Sequence, residues 1–209
     1  MKTLFRLLTS TIIVCATSAG YAQNVSVEFY TPSIARVVKA AEPGLSGNRQ
    51  GSFAVTLQPQ KVPVKISQKG SATVYSTSAL KVSVDDKTGA VKFETARGKS
   101  LLREGTFGFT RRTEGLDQDA YSLRQSFILE PWEPVYGLGS LQGGQLSLRG
   151  QSFHMMQSNL EDYCPVVQSV KGYGIFWDNP SPGDFKDSAD GMSFESQVGE
   201  CIDYYFIYG

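Results

Sequence analysis

Apolar side chains in this chain recur at every second position, in short runs separated by turn residues. That period matches an extended strand with one face buried and leaves little room for helices. Val25, Val27 and Phe29 point one way, and Ser26, Glu28 and Tyr30 the other. The same alternation is read at Phe53, Val55 and Leu57, and again at Val62, Val64 and Ile66. Strands are predicted over Thr73–Ser76, Leu80–Val84 and Val91–Thr95. Asp85-Asp86-Lys87-Thr88-Gly89 joins the last two, with Gly89 available for a left-handed turn position. Further strands are predicted at Phe107–Arg111, Tyr121–Leu129, Gln145–Arg149, Phe153–Gln157, Val166–Val170, Gly174–Trp177, Met192–Gln197 and Ile202–Tyr208. Ile34, Val37, Val38 and Ala41 fit helical spacing, but the run is β-branched and follows Thr31-Pro32, so it too reads as a strand. Many short strands at roughly 8–12-residue spacing give an all-β protein, a large antiparallel β-sandwich.

Composition supports this and narrows the function classes. The 21 glycines and 10 tyrosines suit tight turns and pleated surfaces. Twenty basic residues balance 20 acidic ones, so the basic stripe of a nucleic-acid binder is not expected. Residues 1–22 read as a secretory signal. Lys2 and Arg6 precede the apolar run Leu7–Ala16, and Gly20-Tyr21-Ala22 places small residues before a cleavage at Gln23. The run is too short and too interrupted by Thr and Ser to span a membrane. Cys15 follows Val14, where a lipoprotein site wants a small residue. An exported protein, periplasmic or extracellular, is therefore expected, with residues 23–209 as one β-sandwich domain. Cys164 and Cys201 remain after cleavage. An oxidising compartment permits a disulfide between them, and two buried free thiols is the plainer reading.

The terminal run Ile202-Asp203-Tyr204-Tyr205-Phe206-Ile207-Tyr208 is apolar on both faces and reads as a strand buried from both sides. The chain stops one residue later, which suggests a domain cut from a longer polypeptide. In that case Tyr204, Tyr205, Phe206, Tyr208 and the pair Met155-Met156 are candidates for an apolar surface facing the missing part.

Three segments carry a family resemblance. The first is Asn24–Lys39, NVSVEFYTPSIARVVK, and the second is Leu80–Phe93, LKVSVDDKTGAVKF. The third runs from Phe127-Ile128-Leu129 through Glu133-Pro134 into Val135-Tyr136-Gly137-Leu138-Gly139. Pro165-Val166-Val167, Lys171–Asn179 and Ile202–Gly209 follow at matching distances. In this order they resemble glycoside hydrolase family 31, the retaining α-glucosidases and α-xylosidases. The resemblance implies a galactose mutarotase-like β-sandwich placed before a (β/α)₈ barrel. It also implies α-linked oligosaccharide as substrate of the intact protein and contact between sandwich and barrel. The family's two catalytic aspartates lie on the barrel, so no catalytic residue and no turnover are expected of this chain. Ser140 departs from the pattern, which usually has Glu or Gln there.

Other candidate chemistry is weaker. Glu161 and Asp162 are sequence neighbours and would face opposite ways on a strand. Asp184, Asp187 and Asp190 lie among Pro, Gly and Ser and read as a solvated loop, without the spacing of a tight calcium cage. His154, the only histidine, has no second ligand for a metal and no serine-based triad around it. No cofactor and no metal are expected. The loop Gln157–Tyr163 combines amide, hydroxyl, carboxylate and aromatic groups, which suits a neutral sugar. By position in the family it reaches over the barrel mouth, which makes Gln157 and Asn159 the candidate substrate-binding residues. A plain polar surface loop is the competing reading. Trp177, Asp178 and Asn179 could form a second sugar platform, or a core tryptophan followed by a turn. The function expected is a scaffold and pocket-wall domain of a retaining α-glycosidase. The alternatives are a stand-alone carbohydrate-binding module and a non-enzymatic structural sandwich.

Overall fold

The computed structural model describes residues 25–42, 52–118 and 120–209. The signal read at residues 1–22 lies outside the described residues. The strands are β1 (Val25–Thr31), β2 (Ile34–Ala40), β3 (Lys65–Lys69), β4 (Ala72–Ser76), β5 (Leu80–Asp85), β6 (Val91–Thr95), β7 (Ser100–Arg111), β8 (Tyr121–Ile128), β9 (Val135–Ser140), β10 (Ser152–Met155), β11 (Asp162–Ser169), β12 (Tyr173–Trp177), β13 (Gly183–Ser188), β14 (Gly191–Gly199) and β15 (Cys201–Tyr208). They form two antiparallel sheets, with no helix among the described residues. One has six strands in the order β1-β2-β15-β12-β11-β9, and the other nine in the order β10-β13-β14-β8-β7-β6-β5-β4-β3.

Period two explains the sandwich. On β5, Leu80, Val82 and Val84 are buried while Lys81, Ser83 and Asp85 are half-buried. On β6, Val91, Phe93 and Thr95 face inward. The sheets meet through aromatic rings. Phe93 of β6 stacks on Phe206 of β15 at 4.0 Å, Phe127 of β8 meets Tyr204 edge-on at 5.3 Å, and Trp177 of β12 stacks on Phe194 of β14 at 5.6 Å. Each such pair adds about 0.5–1.5 kcal/mol beyond its area burial.

β15 is buried on both faces, as its apolar run implied. Its place in the sheet corrects the expectation of an exposed terminal patch. β15 pairs with β2 on one side and β12 on the other, and Tyr204 and Phe206 lie wholly inside the sandwich. On its other face Arg36 forks onto Asp203 at 2.6 and 3.0 Å and lies over the Tyr205 ring.

Other predictions shift for local reasons. Residues 52–64 contain no strand. The Ser52 hydroxyl accepts the Ala54 and Val55 amides, folding the chain into a turn, and Pro59 and Pro63 have no N–H for a ladder. Phe53 is left 90% exposed. Gln145–Arg149 is also loop, held by the Leu148 amide on the Val135 carbonyl. The strand read at Phe107–Arg111 is the second half of a longer one, β7 (Ser100–Arg111), with a bulge between Glu104 and Phe107. Asp184 and Asp187 sit on β13, not in a solvated loop, and Asp187 is buried. Cys164 and Cys201 are not joined in a disulfide: Cys201 is buried and Cys164 is exposed.

One polar cluster lies between the sheets. Lys39 of β2 donates to Glu104 of β7 at 2.5 Å, and Glu104 also accepts the Tyr204 hydroxyl at 2.7 Å and the Val91 amide at 2.6 Å. The Lys39 ammonium sits 4.0 Å from the centre of the Phe107 ring. Burial pushes the Glu104 carboxyl up and the Lys39 ammonium down, and their mutual attraction opposes both shifts.

Candidate functional site

The loop between β10 and β11 is shaped by one glutamine. The Gln157 amide nitrogen donates to the Tyr163 carbonyl at 2.9 Å, and its oxygen accepts the Tyr163 amide at 2.8 Å. The side chain thus replaces a missing backbone rung and closes the loop over 157–163. The Tyr163 hydroxyl donates to Glu161 at 2.6 Å. Glu161 stays in the loop while Asp162 opens β11, so the two carboxylates have separate roles.

This loop forms one wall of a pocket of about 300 Å³. Phe53, Met155, Gln157, Tyr163, Trp177 and Asn179 are among its lining residues. The structure therefore joins two features that the sequence kept apart, the Gln157 loop and the Trp177-Asp178-Asn179 segment. Trp177 is core: it is buried and its ring N–H donates to Ser196 at 2.8 Å. The Asn179 side chain accepts the Ser181 amide at 2.9 Å and sets the turn at Pro180. Asn159 stands exposed at the loop tip and does not line the pocket. Phe53 and Met156 are exposed at the rim, so Met156 keeps the outward role expected of the methionine pair.

An amide, a tyrosine and apolar walls can hold a neutral ring with few polar contacts. Asp178 is the one carboxylate among the described lining residues. A retaining glycosidase needs two, roughly 5–5.5 Å apart across the scissile bond. The pocket has the chemistry of a binding wall. His154 donates to or accepts from Asp184 at 2.7 Å on the exposed β10–β13 edge, the neighbour-satisfied strand histidine.

Burial of the phenol, then its bond to Glu161, pushes Tyr163 up to about 12. An unfolded tyrosine titrates near 10, so this raised value favours the fold fully below pH 10. The contribution is lost as pH rises through 12. The expected result is that Tyr163→Phe removes a late step from the alkaline ultraviolet titration. Loss of a step near pH 10 instead would show that the loop does not hold the phenol.

The sequence reading assigned no role to Glu133, part of its most specific motif. Glu133 is fully buried and accepts the hydroxyls of Tyr173 and Ser169 at 2.5 Å each, while Lys171 approaches at 3.5 Å. It pins the β8–β9 connection to the turn of the β11–β12 hairpin. Gly137, Leu138 and Gly139 all have positive φ, at 131, 66 and 94°. A Cβ at Gly137 would meet the Val166 carbonyl oxygen at 2.2 Å, and one at Gly139 the Asp162 carbonyl oxygen at 2.0 Å. The motif is thus a close-approach device for β9 on β11.

Comparison with known proteins agrees with this architecture. Residues 24–185 match the family model described as the glycosyl hydrolase 31 N-terminal galactose mutarotase-like domain. The chain is 29% identical over 202 residues to an α-xylosidase of Saccharolobus solfataricus, covering 89% of this chain and 26% of that protein. It is 32% identical over 99 residues to an uncharacterized family 31 glucosidase of Pseudescherichia vulneris, covering 47% of this chain and 19% of that protein. The chain thus spans about a quarter or less of these relatives. Among solved structures, a family 31 α-xylosidase from a soil metagenome, complexed with xylose, superposes with a TM-score of 0.76 at 22% identity, over 88% of this chain and 30% of that one. A family 31 dextranase of Flavobacterium johnsoniae superposes with a TM-score of 0.71 at 22% identity, over 88% of this chain and 24% of that one.

Proposed function

Because the chain belongs to the family of glycosyl hydrolase 31 N-terminal galactose mutarotase-like domains, we propose that it is the scaffold and pocket-wall domain of an exported retaining α-glycosidase. In this reading residues 1–22 are a cleaved leader and residues 23–209 form the sandwich. The sandwich packs on a catalytic barrel and presents the Gln157–Tyr163 loop to an α-linked oligosaccharide. The observation that carries the reading is the pocket where the Gln157-braced loop meets the Trp177–Asn179 segment. α-Xylosides are the first substrates to test, because relatives named α-xylosidase recur among the matches.

Two roles are separable in the loop. Gln157 is a positioning residue, since both ends of its amide are used on Tyr163. Asn159 is the exposed group that reaches a sugar hydroxyl. The chain alone is expected to give no turnover of aryl α-xyloside or α-glucoside, whereas a polypeptide joining it to its barrel turns over. In that polypeptide Asn159→Ala lowers kcat/KM about 2–10-fold, the cost of one lost neutral hydrogen bond of roughly 0.5–1.5 kcal/mol. Gln157→Ala has a larger effect and also weakens protection of the Tyr163 amide from hydrogen exchange. Unchanged kinetics in both variants would make the loop a spectator. Turnover by the chain alone that survives repurification would overturn the pocket-wall reading itself.

A further inference from the structure

Most polar groups around the Gln157 pocket are engaged within the chain. Both ends of the Gln157 amide are used on the Tyr163 backbone, and the Tyr163 hydroxyl donates to Glu161. The Trp177 ring N–H goes to Ser196, and the Asn179 oxygen accepts the Ser181 amide. The Ser181 hydroxyl donates to the Pro182 carbonyl at 3.1 Å and accepts the Val198 amide at 3.2 Å. Pro165, Pro180 and Pro182 also line the pocket, and proline has no N–H to give a ligand.

What remains is a preformed apolar cleft. Phe53, Met155, Met156 and Phe176 line it beside Tyr163. The Phe176 ring stacks on Tyr205 at 5.8 Å and the Trp177 ring on Phe194 at 5.6 Å, so packing behind the cleft fixes both before a ligand arrives. Methionine thioethers are polarisable and pack well against an aromatic ring. A volume of about 300 Å³ lies at the small end for ligand pockets and suits a small ring system.

Charge narrows the occupant further. Asp178 is the one charged side chain among the described lining residues. It is 5% exposed and its Oδ2 is enclosed, so a ligand does not reach that oxygen. Glu161 beside the cleft is engaged by Tyr163, and Arg36 behind it is forked onto Asp203. With no Lys, Arg or His among the described lining residues, an anion finds no counter-charge. A sugar ring would give up water at its hydroxyls and find few partners in exchange, which is costly. We propose that this cleft binds a neutral aromatic group, and that the α-glycosides this domain serves carry such a group as their aglycone. The sugar then lies outside the cleft, towards the exposed Asn159. The α-glycoside rests on the pocket-wall reading, while the aromatic site rests on the cleft alone.

Phenyl α-xyloside, methyl α-xyloside and phenol are titrated against the full chain carrying methyl-labelled methionine, with binding read by NMR. The sequence has four methionines; Met155 and Met156 line the cleft, and Met192 is enclosed in the core as an internal control. Phenyl α-xyloside and phenol are expected to shift the Met155 and Met156 signals saturably and to leave Met192 in place. The Kd of phenyl α-xyloside is expected on the order of 1 mM, about 10-fold or more below that of methyl α-xyloside. Phe53 is 90% exposed, so the fold does not depend on its ring, and Phe53→Ala weakens phenyl α-xyloside about 2–10-fold. Three results overturn the proposal: methyl α-xyloside binding as tightly as the phenyl compound, phenyltrimethylammonium binding more tightly than phenol, or no shift at Met155 and Met156 up to roughly 10 mM. Unchanged affinity in both Phe53→Ala and Met156→Ser does so too, because it places the ligand elsewhere. In the barrel-containing polypeptide the two methyl signals respond as in the chain alone, and silence there would mean that the barrel fills the cleft, which overturns the aglycone assignment. If that polypeptide still hydrolyses α-glycosides and loses efficiency in Asn159→Ala, the pocket-wall reading stands and this proposal alone falls. Phenol binding in the cleft, with no α-glycoside turned over by the barrel-containing polypeptide, removes the glycosidase reading and leaves the aromatic site.

Discussion

Replacing Lys39 with methionine is expected to destabilise the sandwich by about 3–5 kcal/mol at neutral pH. The ammonium is buried and lies 2.5 Å from Glu104, itself wholly enclosed. Methionine fits the aliphatic path but leaves a carboxylate charge without its counter-ion. The Tyr204 hydroxyl and the Val91 amide still donate to Glu104, which holds the loss towards the lower end of that range. Adding Glu104→Gln removes the stranded charge and keeps an oxygen for one of those donors, so the double variant recovers most of the loss. Acidity gives a second readout. Burial already raises the Glu104 carboxyl above its ordinary value, and removing Lys39 raises it further. A raised value means that the favourable protonated form is fully present below the unfolded pKa and is lost as pH rises through the folded one. The deficit of Lys39→Met therefore shrinks as pH falls towards the ordinary carboxylate range. Urea unfolding of wild type, single and double variants across pH measures all three statements. Equal midpoints for wild type and Lys39→Met at pH 7 would show that the pair is not charged in the fold.

That cluster also shows where sequence reasoning reached its limit. Alternation revealed which runs were strands, because inward positions of β5, β6 and β15 must be apolar whatever their partners. It could not reveal that Lys39 and Glu104, 65 residues apart, share one enclosed site, because a period of two carries no information on pairing between sheets. The false strand at Phe53–Leu57 has a related cause. The alternation there is real, but the Ser52 turn and two prolines deny it a ladder. Asp187 was misread because neighbouring Gly, Pro and Ser suggested solvent, while its actual surroundings are Arg149 and the Gly150 amide. The candidate site was legible in parts. The Gln157 loop and the Trp177–Asn179 segment were both singled out, but alternation does not tell that β11 pairs with β12, which with the bulge in β11 beside it brings them to one pocket.

That bulge carries the second large effect. Gly139→Ala is expected to cost about 3 kcal/mol or more and to detach β9 from β11. The Gly139 backbone has φ +94°, a region that costs a side-chain-bearing residue about 1–3 kcal/mol by itself. The added Cβ would also lie 2.0 Å from the Asp162 carbonyl oxygen and 2.8 Å from the Cys164 amide nitrogen. Both are backbone atoms, so no rotamer change relieves the clash. The register explains the crowding: Tyr163 pairs with Gly139 and Val167 with Gly137, so Cys164, Pro165 and Val166 bulge opposite Leu138 alone. Pro165 has no N–H and is tolerated in that bulge. β9 is the last strand of its sheet, and beyond it the Leu148 amide bonds the Val135 carbonyl at its start, so no further strand holds Gly137 to Ser140 in place once this pairing fails. Hydrogen exchange should then show loss of protection at β9 and at the Tyr163 amide ahead of global unfolding, because the Gln157 brace sits on the same residue. Gly143→Ala is the control. No atom lies within 4 Å of its added Cβ and its φ is outside the left-handed range, so its effect stays within about 0.5 kcal/mol. If Gly139→Ala and Gly143→Ala unfold at the same denaturant concentration, the close approach of β9 to β11 is not what the Tyr-Gly-Leu-Gly motif provides.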